Sequence, residues 1–187
     1  MSPDEPRPSL EDQLVAEVPN LRAFARSLAR NHALADDLVQ ETVLKAWSKL
    51  ASFQEGTNLR AWLFTILRNT FISHTRKRKR EVEDVDGKQA AKIATLPTQE
   101  GAMDLADFRR AFEELPDYQR EAIILVGAAG FSYEDAAEIC GCATGTIKSR
   151  VNRARKTLAE ILKLEPGDMT SSDIATMSVV TTSPSAG

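Results

Sequence analysis

The chain has 187 residues, with 24 Lys and Arg against 27 Asp and Glu, and a formal net charge of −3. Hydrophobic residues make up 42% and charged residues 27%, which fits one or two compact water-soluble domains and excludes a disordered or fibrous chain. No apolar run approaches a membrane span, and the opening MSPDEPRPSLEDQ is acidic and proline-rich, unlike a secretory leader, so a cytoplasmic location is expected.

Residues 1–9 read as disordered. Leu10, Leu14 and Val18 mark a short helix that should end before Pro19, since proline suits a first helical turn better than an interior. The next helix then opens at Pro19 and carries the stripe Leu21, Phe24, Ala25 and Leu28, with Arg22, Arg26 and Arg30 on another face. Asn31 and His32 mark a break. In ALADDLVQETVLKAWSKL, Leu34, Leu38, Val39, Thr42, Val43, Ala46, Trp47 and Leu50 predict a broad inward face. Asp36, Asp37, Gln40, Glu41 and Lys45 stay outside. Periodicity alone reads them as a solvated rim and leaves a protein-docking surface open.

The loop ASFQEGTN has Gly56 as its flexible point and Thr57 or Asn58 as a cap. A helix follows with Leu59, Trp62, Leu63, Ile66, Leu67, Thr70 and Phe71 inward. Arg60, Arg68, Asn69 and His74 are assigned to its outer surface. It ends in five consecutive cations, Arg76 to Arg80. Cations suit a helix C-terminus, but five exceed what the dipole needs, and a phosphate-binding patch is the better reading. Residues 81–103, with Gly87, Pro97 and Gly101, read as a flexible linker holding a short helix near Lys88 to Ile93.

A second domain spans 104–165. Leu105, Phe108, Phe112 and Leu115 mark one helix, stopped by Pro116. Tyr118, Ala122, Leu125 and Val126 mark the next, ended by Gly127 and Gly130. From Phe131 the chain reads as a helix-turn-helix. Ser132 caps Tyr133–Cys140 with Asp135 three residues on, Gly141 supplies a left-handed stop, and Thr144 caps the second helix. That helix hides Ile147, Val151, Ala154, Leu158 and Ile161. Thr144, Thr146, Lys148, Ser149, Asn152 and Arg155 fall away from this stripe, flanked by Arg150, Arg153 and Lys156. From Ala143 to Lys156 there are five basic residues and no acidic one. Short polar groups at the N-terminal end and cations along the outside suit a helix lying in a DNA major groove. The tail, 166–187, has no helical period and reads as disordered. No strand-like alternation occurs anywhere, so the fold class is all-α, in two small bundles.

Cys140 and Cys142 are one residue apart with no histidine nearby, which disfavours both a disulfide and a metal site, and reduced thiols are expected. No phosphate loop, metal-ligand pair or nucleophile triad is present in the sequence, so neither an enzyme nor a cofactor is expected.

Three stretches taken together, DDLVQETVLKAW, NLRAWLFTILRNTFISHTRKRKR and LPDYQREAIILVGAAGFSYEDAAEICGCATGTIKSRVNRARKTL, resemble the ECF (extracytoplasmic function) sigma factors of bacterial RNA polymerase. The resemblance covers about residues 10–165. The wording around RNTFISHTRKRKREVEDVDG and LVGAAGFSYEDAAEICGCATGTIKSRV is similar to the general-stress-response branch, whose members are held by a small NepR-type anti-sigma factor. The resemblance implies that residues 10–80 are sigma region 2 and 104–165 are sigma region 4. Asp36, Asp37, Gln40, Glu41 and Lys45 would then dock on the clamp helices of the polymerase β′ subunit. Ser52, Phe53, Asn58, Arg60, Arg68 and Asn69, with Arg76, Lys77 and Arg78 of the basic run, would meet the promoter −10 element, the loop helping to capture a base turned out of the stack. Thr144, Thr146, Lys148, Ser149, Arg150, Asn152, Arg153 and Arg155 would read the −35 element, while another face of this domain meets the polymerase β flap. Many relatives carry an acid where Ser73 stands, so −10 preferences do not carry over. The halves are expected to lie apart on the polymerase and packed together under the anti-sigma factor. Two rival classes remain at this point: a sigma-like decoy that sequesters an anti-sigma factor, and a stand-alone helix-turn-helix regulator.

Overall fold

A computed structural model describes residues 8–29, 31–54, 56–83 and 105–163. The described residues form seven α-helices with no strand among them: α1 Leu10–Ala29, α2 His32–Lys49, α3 Leu59–Glu83, α4 Leu105–Glu114, α5 Asp117–Ile123, α6 Tyr133–Cys140 and α7 Thr144–Leu162. A 3-10 turn, Leu50–Ser52, follows α2, and a π-helical turn, Ile124–Ala128, extends α5. The expected linker helix near residues 88–93 and the expected disordered tail lie outside the described residues.

Helices α1, α2 and α3 pack on one another to form the N-terminal half. Ser9 opens α1 with a reciprocal cap: its hydroxyl accepts from the Asp12 amide at 3.1 Å, and the Asp12 carboxylate accepts from the Ser9 amide at 3.3 Å. The expected break at Pro19 does not occur, and α1 runs straight through it. An interior proline costs about 3 kcal/mol by removing a donor and crowding the carbonyl four residues back. Here Pro19 and Val15 are both exposed, so that carbonyl faces water, while Leu14, Leu21, Phe24, Ala25 and Leu28 are buried on the opposite side. Continuity of this stripe favours one helix over two. Helix α2 starts at His32, where the Asn31 side chain accepts from the Leu34 amide. Asn58, rather than Thr57, caps α3 by accepting from the Ala61 amide at 3.1 Å.

In the C-terminal half α7 is the central element, packing against α4, α5 and α6. Phe108, Ala111, Leu115 and Ile123 close with Ala154 and Leu158 into a small core of their own. The larger core crosses between the two expected bundles. It runs from Leu14 and Phe24 through Phe64 and Leu67 to Leu125, Phe131, Ala136 and Ile147. Helix α3 packs on α6 and α1 touches α5, so the halves share one apolar seam. Phe64 is its hinge point: its ring stacks on Phe24 at 5.0 Å and meets Phe131 edge-on at 4.9 Å. Sequence periodicity omitted Phe64 from the inward face of α3, yet its ring reaches both Phe24 of α1 and Phe131 of the other half.

Candidate nucleic-acid interface

The helix-turn-helix forms as its local sequence dictates. The Ser132 hydroxyl accepts from the Asp135 amide at 2.9 Å and donates to the Asp135 carboxylate. Gly141 takes φ +62°, and the Cys142 amide donates back to the Ala137 carbonyl at 3.0 Å, which closes α6 with a left-handed C-cap. The start of α7 differs from expectation. Its N-cap is Ala143, which has no side-chain acceptor, and Thr144 is already the first helical residue. The first turn of α7 therefore has no side-chain cap, and the Thr146 amide donates to the Ala143 carbonyl at 2.8 Å.

Ile147, Val151, Ala154 and Leu158 are fully buried, and Ile161 is half-buried. This anchoring turns Lys148, Ser149, Asn152, Arg153 and Lys156 to solvent, and leaves Thr144, Thr146, Arg150 and Arg155 half-buried. The Ser149 hydroxyl donates to the Thr146 carbonyl at 2.9 Å, leaving its lone pairs free to accept. Two cations rest on aromatic faces: Lys148 lies 5.6 Å from the Tyr133 ring and Arg150 5.6 Å from the Tyr118 ring. Tyr118, expected inside, is 46% exposed because it serves as this platform. The eight residues expected to read DNA thus lie on one helix, and its first turn carries no acid.

The second candidate surface is the loop after α2 and the start of α3. Ser52 donates to the Lys49 carbonyl at 2.7 Å, Phe53 tilts against Trp62 at 5.2 Å, and Gly56 takes φ +87° to turn the chain. Between this loop and the N-terminal end of α1 lies a cleft of about 630 Å³ lined by Ser9, Gln13, Glu17, Phe53, Thr57, Asn58 and Arg60. The cations Arg76 to Arg80 are exposed on the last turns of α3.

Arg60 and Arg68 are placed differently from the outer surface expected of them. Arg60 bonds Glu17 at 3.1 Å and lies over the rings of Phe64 and Phe131, at 5.5 and 4.8 Å. Arg68 donates through Nε to Glu121 Oε1 at 2.5 Å and through Nη2 to Oε2 at 3.4 Å. The two side chains of this pair are 17% and 10% exposed. Burial by itself would lower the Arg68 pKa, but the Glu121 hydrogen bond and charge outweigh it and the net direction is up. Asn69 is exposed, and its carbonyl accepts from the Ser73 hydroxyl at 2.9 Å.

The outer face of α2 combines acid and apolar groups. Asp37 and Gln40 are exposed, while half-buried Asp36 pairs with Arg22 at 3.3 Å. Glu41 is tied to Lys45 at 2.7 Å and to His74 of α3 at 2.8 Å, and Lys45 also reaches Thr70 at 3.1 Å. Hydrogen bonds from Lys45 and then His74 hold the Glu41 carboxyl below its ordinary value of 4.5. Trp47 was expected in the core, yet it is 54% exposed, and Leu44 is 70% exposed. With Gln40 they fall at i, i+4 and i+7 on one face. Leu44 carried a sequence signal, an apolar residue off the main stripe, that the inward-face pattern passed over. Among the described residues there is no helix long and apolar enough to cross a membrane.

A Sigma-70 region 2 family model matches residues 14–81, and a Sigma-70, region 4 model matches residues 105–158. The ECF RNA polymerase sigma factor EcfG of Rhodopseudomonas palustris (strain TIE-1) is 60% identical over 157 residues, 84% of this chain and 87% of that one. The ECF RNA polymerase sigma factor SigC of Mycobacterium tuberculosis (strain CDC 1551 / Oshkosh) is 38% identical over 145 residues, covering 73% of each chain. A crystal structure of the sigma factor RpoE in complex with the anti-sigma factor NepR, from Bartonella quintana, superposes with a TM-score of 0.73 at 58% identity. That match covers 83% of this chain and 98% of the other.

Proposed function

This chain belongs to the ECF sigma factors of RNA polymerase, and from that premise we propose how its residues divide the work of promoter-specific initiation. In region 4, Lys148, Asn152 and Arg153 face the major groove of the −35 element, with Thr144, Thr146 and Ser149 toward the base edges and Arg150 and Arg155 toward phosphates. In region 2, Asp36, Asp37, Gln40, Glu41 and Lys45 meet the β′ clamp helices, and the exposed Leu44 and Trp47 add an apolar anchor to that surface. A Trp set among charged neighbours is the usual composition of an energetic centre in a protein interface.

The cleft beside Phe53 and Asn58 takes the extruded base of the −10 element. Arg60, Arg68, Asn69, Arg76, Lys77 and Arg78 follow the strand, and Ser52 fixes the loop. Extrusion costs a few kcal/mol, so stacking and hydrogen bonds in such a cleft must favour the open strand. The chain works in the cytoplasm, needs no cofactor, and performs no covalent chemistry of its own. Its regulator is a small anti-sigma factor of the NepR type, in keeping with the 58% identity to a sigma factor solved with NepR. Its regulon is a general stress response, in keeping with the relative EcfG.

The observation that carries this reading is the outer face of α7, where Lys148, Asn152, Arg153 and Lys156 stand exposed on a helix-turn-helix anchored by four buried apolar residues. Run-off transcription tests it. Purified core polymerase with this chain should give a specific transcript from a promoter carrying a GGAAC-type −35 element and none without it. Tight binding of a NepR-type protein with no transcript under any promoter condition would instead establish the decoy class.

A further inference from the structure

Lys148 and Arg150 leave α7 on opposite sides. Residues two apart on a helix are turned by about 200°, and the buried stripe of Ile147, Val151, Ala154 and Leu158 lies behind both. Each side chain then meets a tyrosine of a different helix. The Lys148 ammonium lies 5.6 Å from the ring centre of Tyr133, the first residue of α6. The Arg150 guanidinium lies 5.6 Å from that of Tyr118, in the first turn of α5. Both rings stand on fixed backbone. Ser132 caps the turn that carries Tyr133, and Tyr118 precedes Gln119 and Arg120, which are 7% and 2% exposed. Among the described residues neither cation is paired with a carboxylate.

A long basic side chain loses rotamer freedom when it settles on a phosphate, and that loss weakens binding. A neighbouring carboxylate would fix the side chain beforehand, but it would also take its donors and offset its charge. An aromatic face fixes it through the ring quadrupole and leaves the N–H donors available. Lys148 is exposed and Arg150 half-buried, so both keep a side open to water. The major groove is about 12 Å wide and is bounded by a phosphate strand on each side. A helix lying in it is held by one cation at each edge, and the Tyr133–Lys148 and Tyr118–Arg150 pairs supply one each.

Resting on the assignment of α7 to the −35 groove, we infer that Tyr133 and Tyr118 are positioning residues for promoter recognition. Each aims one edge cation of α7 at one of the two phosphate walls. Their contribution is to affinity and register and not to base choice, because phosphates carry no sequence information directly. Each tyrosine therefore acts only through its own cation.

The test uses the full chain, with helix content checked by circular dichroism. Y133L and Y118L remove the rings but keep apolar bulk, whereas Y133F and Y118F keep the rings. In wild type, proton NMR should show the Lys148 Hε signals, assigned by their loss in K148M, shifted upfield by the Tyr133 ring. Y133L should return them to their ordinary position. Binding to a −35 duplex at fixed salt should weaken about threefold in Y133L and in Y118L, with most of the loss recovered in the Phe variants. A duplex with scrambled −35 bases should show the same loss. Y133L should cost nothing further in a K148M background, nor Y118L in R150M. K148M should lower the salt slope by about one, whereas Y133L should leave it unchanged. Unshifted Lys148 Hε signals in wild type would overturn the inference whatever the variants do. So would leucine variants that lose as much affinity without the cation as with it, since the tyrosines would then serve the fold alone. Absence of a wild-type run-off transcript instead marks failure of the sigma-factor reading; a transcript with uncoupled variants overturns the positioning role by itself.

Discussion

The outer face of α7 and the inner face of α3 carry the same kind of residue in opposite circumstances. On α7, Lys148, Asn152 and Arg153 point into water because the opposite stripe is buried. On α3, Arg60 is roofed by Phe131 and paired with Glu17, and Arg68 is paired with Glu121. Both sets read from sequence as outward cations. What separates them is the partner across the seam, since a helix with apolar groups on two sides must cover both. The α7 residues are thus open to solvent, whereas Arg60 and Arg68 of α3 are engaged internally.

Substitutions can break this contrast in graded ways. The largest effect is expected from F64A. Phe64 is 1% exposed and bridges Phe24 to Phe131, so its loss should lower stability by about 3–5 kcal/mol and weaken both the region 2 core and the seam. Urea unfolding measures it directly, and a loss below about 1 kcal/mol would show that the ring is not packed as described. Next comes R153E on the exposed face. It should leave stability within about 0.5 kcal/mol of wild type while weakening binding to a −35 duplex by about 1–3 kcal/mol. Fluorescence anisotropy at fixed salt reads the second quantity, and unchanged affinity would remove Arg153 from the reading face.

A smaller effect is expected on the third surface. W47A should reduce affinity for core polymerase by about 1–2 kcal/mol with little change in melting temperature, because Trp47 is half exposed in the free chain. A large fall in melting temperature would return Trp47 to the core, where periodicity first placed it. The smallest effect concerns pH. Glu41 is held below its ordinary value of 4.5 by Lys45 and then His74, so its contribution is present above that value and fades as pH falls through the depressed one. Thermal melts at acid pH should show E41Q losing less stability than wild type below about pH 4.5. Equal slopes would mean that the exposed cluster adds nothing.

Much of the helix-turn-helix was legible residue by residue. Ser132, Asp135 and Gly141 act over three or four residues, where local hydrogen bonding decides the outcome, and each does what its position implied. Apart from Thr144, the misplacements share a longer range. Thr144 proved to be a first helical residue because Ala143 already turns the chain, a matter of one residue that caps alone do not settle. Pro19 was overruled by a stripe that spans both sides of it. Trp47 and Tyr118 look like core residues by type, and only their angular position against neighbouring helices puts them outside.

The sequence by itself determined the all-α class, the helix-turn-helix with the caps of its first helix, the buried stripe of α7 and the acid-free cationic face opposite it. These depend on periodicity and short-range hydrogen bonds, which are written in consecutive residues. Only the tertiary structure decided that the two halves share a seam, that Phe64 points across it, and that Arg68 is matched by Glu121. Pairing across fifty-three residues has no local signature: a buried guanidinium and an exposed one have the same letter, and which it becomes depends on the carboxylate and rings that the rest of the fold brings to it.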